Sequence, residues 1–244
     1  SKYNLDATLL GLAEAVNHFT NIEEKVELPI TLSSPDLMRY PILYLASADN
    51  SAFEMRPSCI RNLNEYLYKG GFLIVDNGCP WYEFSPAKAS LLNILLQAAG
   101  KDARFEPIPA DHPIFYCFFD ISAKLPDGDS HTAPPMKEKP DDWGRLLHIP
   151  ELEDLRQRIS TRRENLWGLW YGERLAAVYL EKGYGHTWRD GFYAYKYRNH
   201  RLTLELGVNI AVFALIQKGG IAQKYVDYTA EGIVSPSKND KKEK

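Results

Sequence analysis

The sequence predicts an α/β fold, a doubly wound and mostly parallel sheet, on three observations. Near-continuous apolar runs at residues 42–46 and 72–75 suit strands covered on both faces by helices. Segments with helical spacing of apolar residues alternate with them, which is the pattern of βαβ units. A chain of 244 residues with 45% hydrophobic content is long enough for one sizeable core. One domain is expected over residues 1–234, with an insertion at about 125–165 and a disordered tail at 235–244.

Leu5, Leu9, Leu12, Ala13 and Val16 recur at helical spacing behind Asn4 and Asp6, predicting a first amphipathic helix. Residues 26–32 alternate enough to be a strand, and 42–46 form the next. Pro57, near a first helical position, opens a helix with Ile60, Leu63, Tyr66 and Leu67 inside; Gly70-Gly71 ends it. The strand 72–75 follows, then the polar loop from Asp76 to Trp81, then a helix over 87–99 stopped by Gly100.

A short strand is expected near 105–108, followed by the turn Asp111-His112-Pro113. Pro126, Gly128, Pro134, Pro135 and Pro140 mark a surface excursion, and Leu152, Leu155 and Ile159 mark one helical face. Strands are expected at 166–171 and 174–180. A second polar, glycine-bearing loop occupies 183–191, and a core helix over 202–217 closes the fold.

The formal charge of -3, from 29 basic and 32 acidic residues spread along the chain, leaves no basic stripe for nucleic acid. No run approaches the ~20 apolar residues of a membrane span. Cys59, Cys79 and Cys117 are too few and too scattered for a disulfide framework or a CxxC metal site. The chain opens at Ser1, so a leader upstream is compatible with it and localisation stays open.

Ligands of open α/β sheets bind where parallel strands end, which draws attention to Asp76, Asn77 and Cys79 after one strand and to Tyr184, His186, Trp188 and Asp190 after another. Asp76 is a candidate base, metal ligand or hydroxyl acceptor, or a carboxylate that caps a helix beginning near Pro80 or ties down the loop. Cys79 is a candidate nucleophile at a helix N-terminus or a packing residue. His112 belongs to the sheet edge or to a simple turn. Arg174 offers a guanidinium to an anion or a salt bridge at a strand end. Asp76, His112, His186 and Asp190 lack any short-spacing metal signature, so neither metal nor cofactor is expected.

The motifs Tyr40-Pro41-Ile42-Leu43-Tyr44-Leu45, Gly70-Gly71-Phe72-Leu73-Ile74-Val75-Asp76, Asp111-His112-Pro113-Ile114-Phe115, Gly172-Glu173-Arg174-Leu175 and Gly207-Val208-Asn209-Ile210, in that order, resemble the bacterial domain-of-unknown-function family 4159. That resemblance implies a class I glutamine amidotransferase-like, flavodoxin-type fold. His112-Pro113 and Gly185-His186 are also similar to motifs of the trehalose-utilisation-like family. It implies an exported bacterial protein and a strand upstream of Ser1. In the amidotransferases a cysteine nucleophile ends the strand after the glycine turn; Asp76 stands in its place and Cys79 falls three residues late, so glutaminase activity is not expected. Two functions remain: a non-catalytic domain holding a small polar ligand or a protein partner, or an enzyme on a carbohydrate or related polar metabolite, with Asp76 and His186 as acid and base and Arg174 orienting the substrate.

Overall fold

A computed structural model describes residues 5–23, 25–27, 30–47, 49–78, 80, 85–128, 150–162, 166–191 and 198–224. Five strands form one sheet: β1 (Ile42–Ala46), β2 (Phe72–Asp76), β3 (Ala103–Pro107), β4 (Trp167–Tyr171) and β5 (Arg174–Leu180), in the order β1-β2-β5-β4-β3. The pairs β1/β2 and β2/β5 are parallel, whereas β4/β5 and β3/β4 are antiparallel. The sheet is therefore mixed rather than mostly parallel. The antiparallel pairing of β4 with β5 follows from the two-residue connection Gly172-Glu173, too short for a crossover helix and eased by Gly172 at φ +58. A bulge at Ala176, where Leu169 faces Ala177 but Trp170 faces Leu175, shifts the alternation of β5.

Helices cover both faces. α1 (Leu5–Phe19), α5 (Gly185–Asp190) and α6 (Arg198–Ile216) share one core with Phe72, Ile74, Val178 and Leu180. The opposite face carries α2 (Pro57–Tyr68), α3 (Pro86–Ala99) and α4 (Pro150–Ser160) against Leu73, Val75 and Tyr179. Alternation along β2 thus sends even positions to the α1/α5/α6 layer and odd ones to the α2/α3/α4 layer, with every β2 residue buried. Leu152, Leu155 and Ile159 of α4 are all buried in the second core, as their spacing predicts.

The turn into β2 needs both its glycines. Gly70 has φ +112, and a side chain there would meet Gly219 O at 2.5 Å; a Cβ on Gly71 would lie 2.3 Å from the Tyr66 ring. That ring is completely buried, its hydroxyl donating to Tyr40 O at 2.9 Å and accepting from the Phe72 N–H at 3.2 Å, so it has no room to retreat.

Two expected elements differ. The described part of 26–32 forms no strand; Pro29 in its middle lacks the N–H a ladder requires. The expected polar loop at 183–191 contains the helix α5. The proline-rich part of the expected insertion, 129–149, and the tail at 235–244 lie outside the described residues.

Replacing Gly71 by Ala should destabilise the protein by about 1–3 kcal/mol through overpacking against Tyr66. A thermal melt reads this directly, and the Gly71→Ala/Tyr66→Leu double variant should recover part of the loss. A Gly71→Ala protein melting with the wild type would show that the contact is not tight.

Candidate functional site at the sheet edge

The parallel strands end at Ala46, Asp76 and Leu180, side by side. Asp76 is an even position of β2 and faces the α1/α5/α6 layer with no exposed surface. Its Oδ1 accepts from the Tyr184 N–H at 3.0 Å, and its Oδ2 accepts from the Gly185 N–H at 2.8 Å and the Tyr44 hydroxyl at 2.8 Å. The carboxylate therefore caps α5 from a neighbouring strand, satisfying donors that open every helix. Sequence pattern pointed to a cap near Pro80, but α3 begins at Pro86 and is capped by Ser85, whose Oγ accepts from the Lys88 N–H at 3.1 Å.

Tyr184 and Trp188 are buried, not displayed for stacking on a sugar. Tyr184 donates its hydroxyl to Pro126 O at 3.1 Å, and Trp188 donates Nε1–H to Thr203 O at 2.8 Å. Their rings stack at 6.3 Å. Asn77 is also fully buried: its N–H continues the β5 pairing to Leu180 O at 3.1 Å, and Nδ2 donates to Glu181 O at 3.0 Å. Close approach seals the edge further. A Cβ on Gly78 would lie 2.3 Å from Ser47 O, and one on Gly183, at φ +61, 2.5 Å from Asn77 O.

On the other face of the same edge lies a pair that no motif or spacing singles out. Lys88, in the first turn of α3, places Nζ 2.6 Å from Glu181 Oε1, with the two side chains 0% and 1% exposed. The Tyr179 hydroxyl donates to Glu181 Oε2 at 2.9 Å. A lysine on a helix otherwise lined by Leu and Ala reads as a solvent-facing residue. Nothing local indicates that the end of β5, in the far half of the chain, places a carboxylate over it.

The remaining candidates disperse. Arg174 opens β5, roughly 20 Å from Leu180 at a strand's rise per residue. Its guanidinium donates to Leu67 O, closing the C-terminus of α2, and lies 5.7 Å over the Tyr171 ring. His112 caps a short 3-10 turn, Pro113–Phe115, with Nδ1 accepting from the Ile114 N–H at 3.2 Å. Its ring packs 5.2 Å from Trp170 and 4.8 Å from Phe213. Phe213 in turn packs on Phe72, at the start of β2 and so about 13 Å from Asp76. Burial pushes the His112 pKa below the ordinary imidazole value, opposed by Asp111.

His186 is half-buried at the second residue of α5, directly after the Gly185 N–H that Asp76 holds. Asp190 ends that helix, where Oδ1 accepts from Arg189 Nε at 3.1 Å and Oδ2 lies 3.9 Å from His200 Nε2. Cys79 lies outside the described residues. Cys117 is half-buried with its thiol donating to Asn209 O at 3.3 Å, and burial pushes its pKa up to about 11. Among the described residues no group of three or more His, Cys, Asp or Glu could hold a metal ion. No helix among them is long and apolar enough to cross a membrane.

Residues 2–215 match the family model of a domain of unknown function, DUF4159, and the chain belongs to that family. A comparison with curated proteins finds no match.

Breaking the Lys88–Glu181 pair from one side strands a buried charge. Lys88→Met and Glu181→Leu should each cost about 3–5 kcal/mol, while the double variant should come close to wild type. Additive losses in a double-mutant cycle would refute the coupling. His112 supplies a pH signature. With its folded pKa below the unfolded one, its contribution is fully present above pH ~6.5 and is lost as pH falls through the folded value. The melting temperature of His112→Asn, which keeps a capping oxygen but does not titrate, should fall less than that of wild type between pH 7 and 5; equal slopes would count against it.

Proposed function

We propose that this domain acts by binding and performs no acid–base or acyl-transfer chemistry at the end of β2. The fold is, on this reading, class I glutamine amidotransferase-like and flavodoxin-type, with its catalytic elbow converted into a structural joint. Support comes from the parallel β1-β2-β5 half of the sheet, helices on both faces and the Gly70-Gly71 turn leading into β2.

The observation that carries the reading is the state of Asp76, which occupies the elbow. A general base must reach a substrate proton within hydrogen-bond distance or through one water. Asp76 is 0% exposed and both its oxygens are engaged by donors of the protein itself. Arg174, which would orient a substrate in a catalytic arrangement, is also separated from Asp76, at the opposite end of β5. The ligand is a small molecule or a partner segment held at a surface other than this closed edge.

Asp76→Ala leaves two backbone N–H groups and a hydroxyl without their acceptor, at about 1–3 kcal/mol each. The variant should melt on the order of 10 °C below wild type, at roughly 2–4 °C per kcal/mol for a chain of this size. Wild type should release no ammonia from glutamine. Measurable release abolished by Asp76→Ala, in a variant that melts with the wild type, would place Asp76 in an active site and overturn this reading.

A further inference from the structure

We infer that the space between α1 and β1 is a binding site for a small amphiphile with an apolar body and an uncharged, hydrogen-bonding head, which rests on the reading that this domain binds rather than converts. A cavity of about 300 Å³ opens there. Leu9, Ala13 and Val16 of α1 form one wall and Ile42 and Tyr44 of β1 the other, with Ile74 behind. Such a lining offers a ligand hydrophobic contact and little polar competition. The volume is roughly twice that of an engineered apolar cavity that admits benzene, enough for a chain on the order of eight carbons.

A second concavity adjoins the first and shares Lys25, Val26, Glu27, Ile30 and Tyr40 with it, adding Thr31 and Ser34. Here the surface is polar. Lys25 Nζ lies 3.9 Å from Glu27 Oε1, so these charges offset each other, and the Tyr40 hydroxyl donates to Glu27 Oε2. Asp6, exposed at the start of α1, also borders the cavity and leaves this rim with one excess negative charge. Hydroxyls and a neutralised ion pair suit an uncharged polyol-like head, and the excess acid disfavours a carboxylate. The apolar cavity and the polar depression together have the shape of one bipartite site.

The test uses N-phenyl-1-naphthylamine, whose emission rises in apolar surroundings, titrated into the whole chain. Saturable binding at one equivalent is expected, with displacement by octyl glucoside below its micellar concentration and at least about five-fold weaker displacement by octanoate. Ala13→Phe fills the cavity from α1 and Ile30→Trp from the lining it shares with the polar depression; each should weaken probe binding about ten-fold or more while circular dichroism stays that of wild type. Two variants keep the test open if one fails to fold. No saturable signal in wild type, or wild-type affinity in a folded cavity-filling variant, overturns the site. Equal displacement by octanoate overturns the head-group assignment. Glucose release from octyl glucoside would instead overturn the non-catalytic reading and leave the cavity standing.

Discussion

The Asp76 carboxylate is the constraint on which one layer of the molecule depends. α5 has six residues, too few to persist on their own propensity, because helix nucleation fixes several dihedrals for one hydrogen bond. Two oxygens supplied by β2 meet the Tyr184 and Gly185 N–H groups and remove much of that cost. Burying a carboxylate costs several kcal/mol even after relaxation. Burial of Tyr184 and Trp188, each worth roughly 4–6 kcal/mol at 150–250 Å² and ~25 cal/mol per Å², is large enough to offset it. The rest of the layer is fitted to this helix. A Cβ on Gly11 would lie 2.1 Å from Trp188 O, and one on Gly207 would lie 2.5 Å from the Leu12 side chain and 3.0 Å from the Trp188 ring, so α1 closes on the α5 backbone and α6 on the side chains packed beneath it.

The opposite layer is tied to the same edge by a different chemistry. Lys88 and Glu181 make a buried ion pair, and Tyr179 donates a third hydrogen bond to the carboxylate. Such pairs contribute little net stability, since desolvation of both charges offsets their attraction. They do discriminate between arrangements, because any register that parts them leaves a charge uncompensated. Here the pair fixes the first turn of α3 against the end of β5, while Asn77 and Gly183 lock β2 to the same segment from the middle of the edge.

The strands and the long helices were legible because burial leaves a local trace. β2 is apolar throughout, α3 has Leu91, Leu92, Leu95 and Ala98 at helical spacing, and Gly70-Gly71 announces the turn between α2 and β2. The antiparallel β4/β5 pairing is also written locally, in Gly172-Glu173 between two apolar runs, but the repeating strand–helix pattern elsewhere in the chain points to parallel pairing. The candidate site was less legible because its meaning is tertiary. A polar residue after a strand looks the same whether it meets a ligand or a backbone N–H 108 positions away, as Asp76 does with Tyr184. Asn209 makes the same point: within an apolar stretch of α6 it clamps both the N–H and the C=O of Phe119 at 2.8 Å. Polar residues of these types marked packing joints as readily as chemistry.

Tyr44 connects the joint to the cavity. Its hydroxyl donates to Asp76 on one side, and its side chain belongs to the wall between α1 and β1 on the other. The facing wall is held by the same helix that Asp76 caps, since Thr8 of α1 donates its hydroxyl to Gly185 O at 2.9 Å and Gly11 lies under Trp188 O. Both sides of the cavity are thus positioned by contacts that converge on one carboxylate and one short helix. Walls held in place by such contacts reduce the ordering cost when a ligand enters, which is what a small apolar contact area needs to yield useful affinity. Burying the carboxylate at the strand end and positioning the walls of the cavity beside it are, in this arrangement, consequences of the same hydrogen bonds.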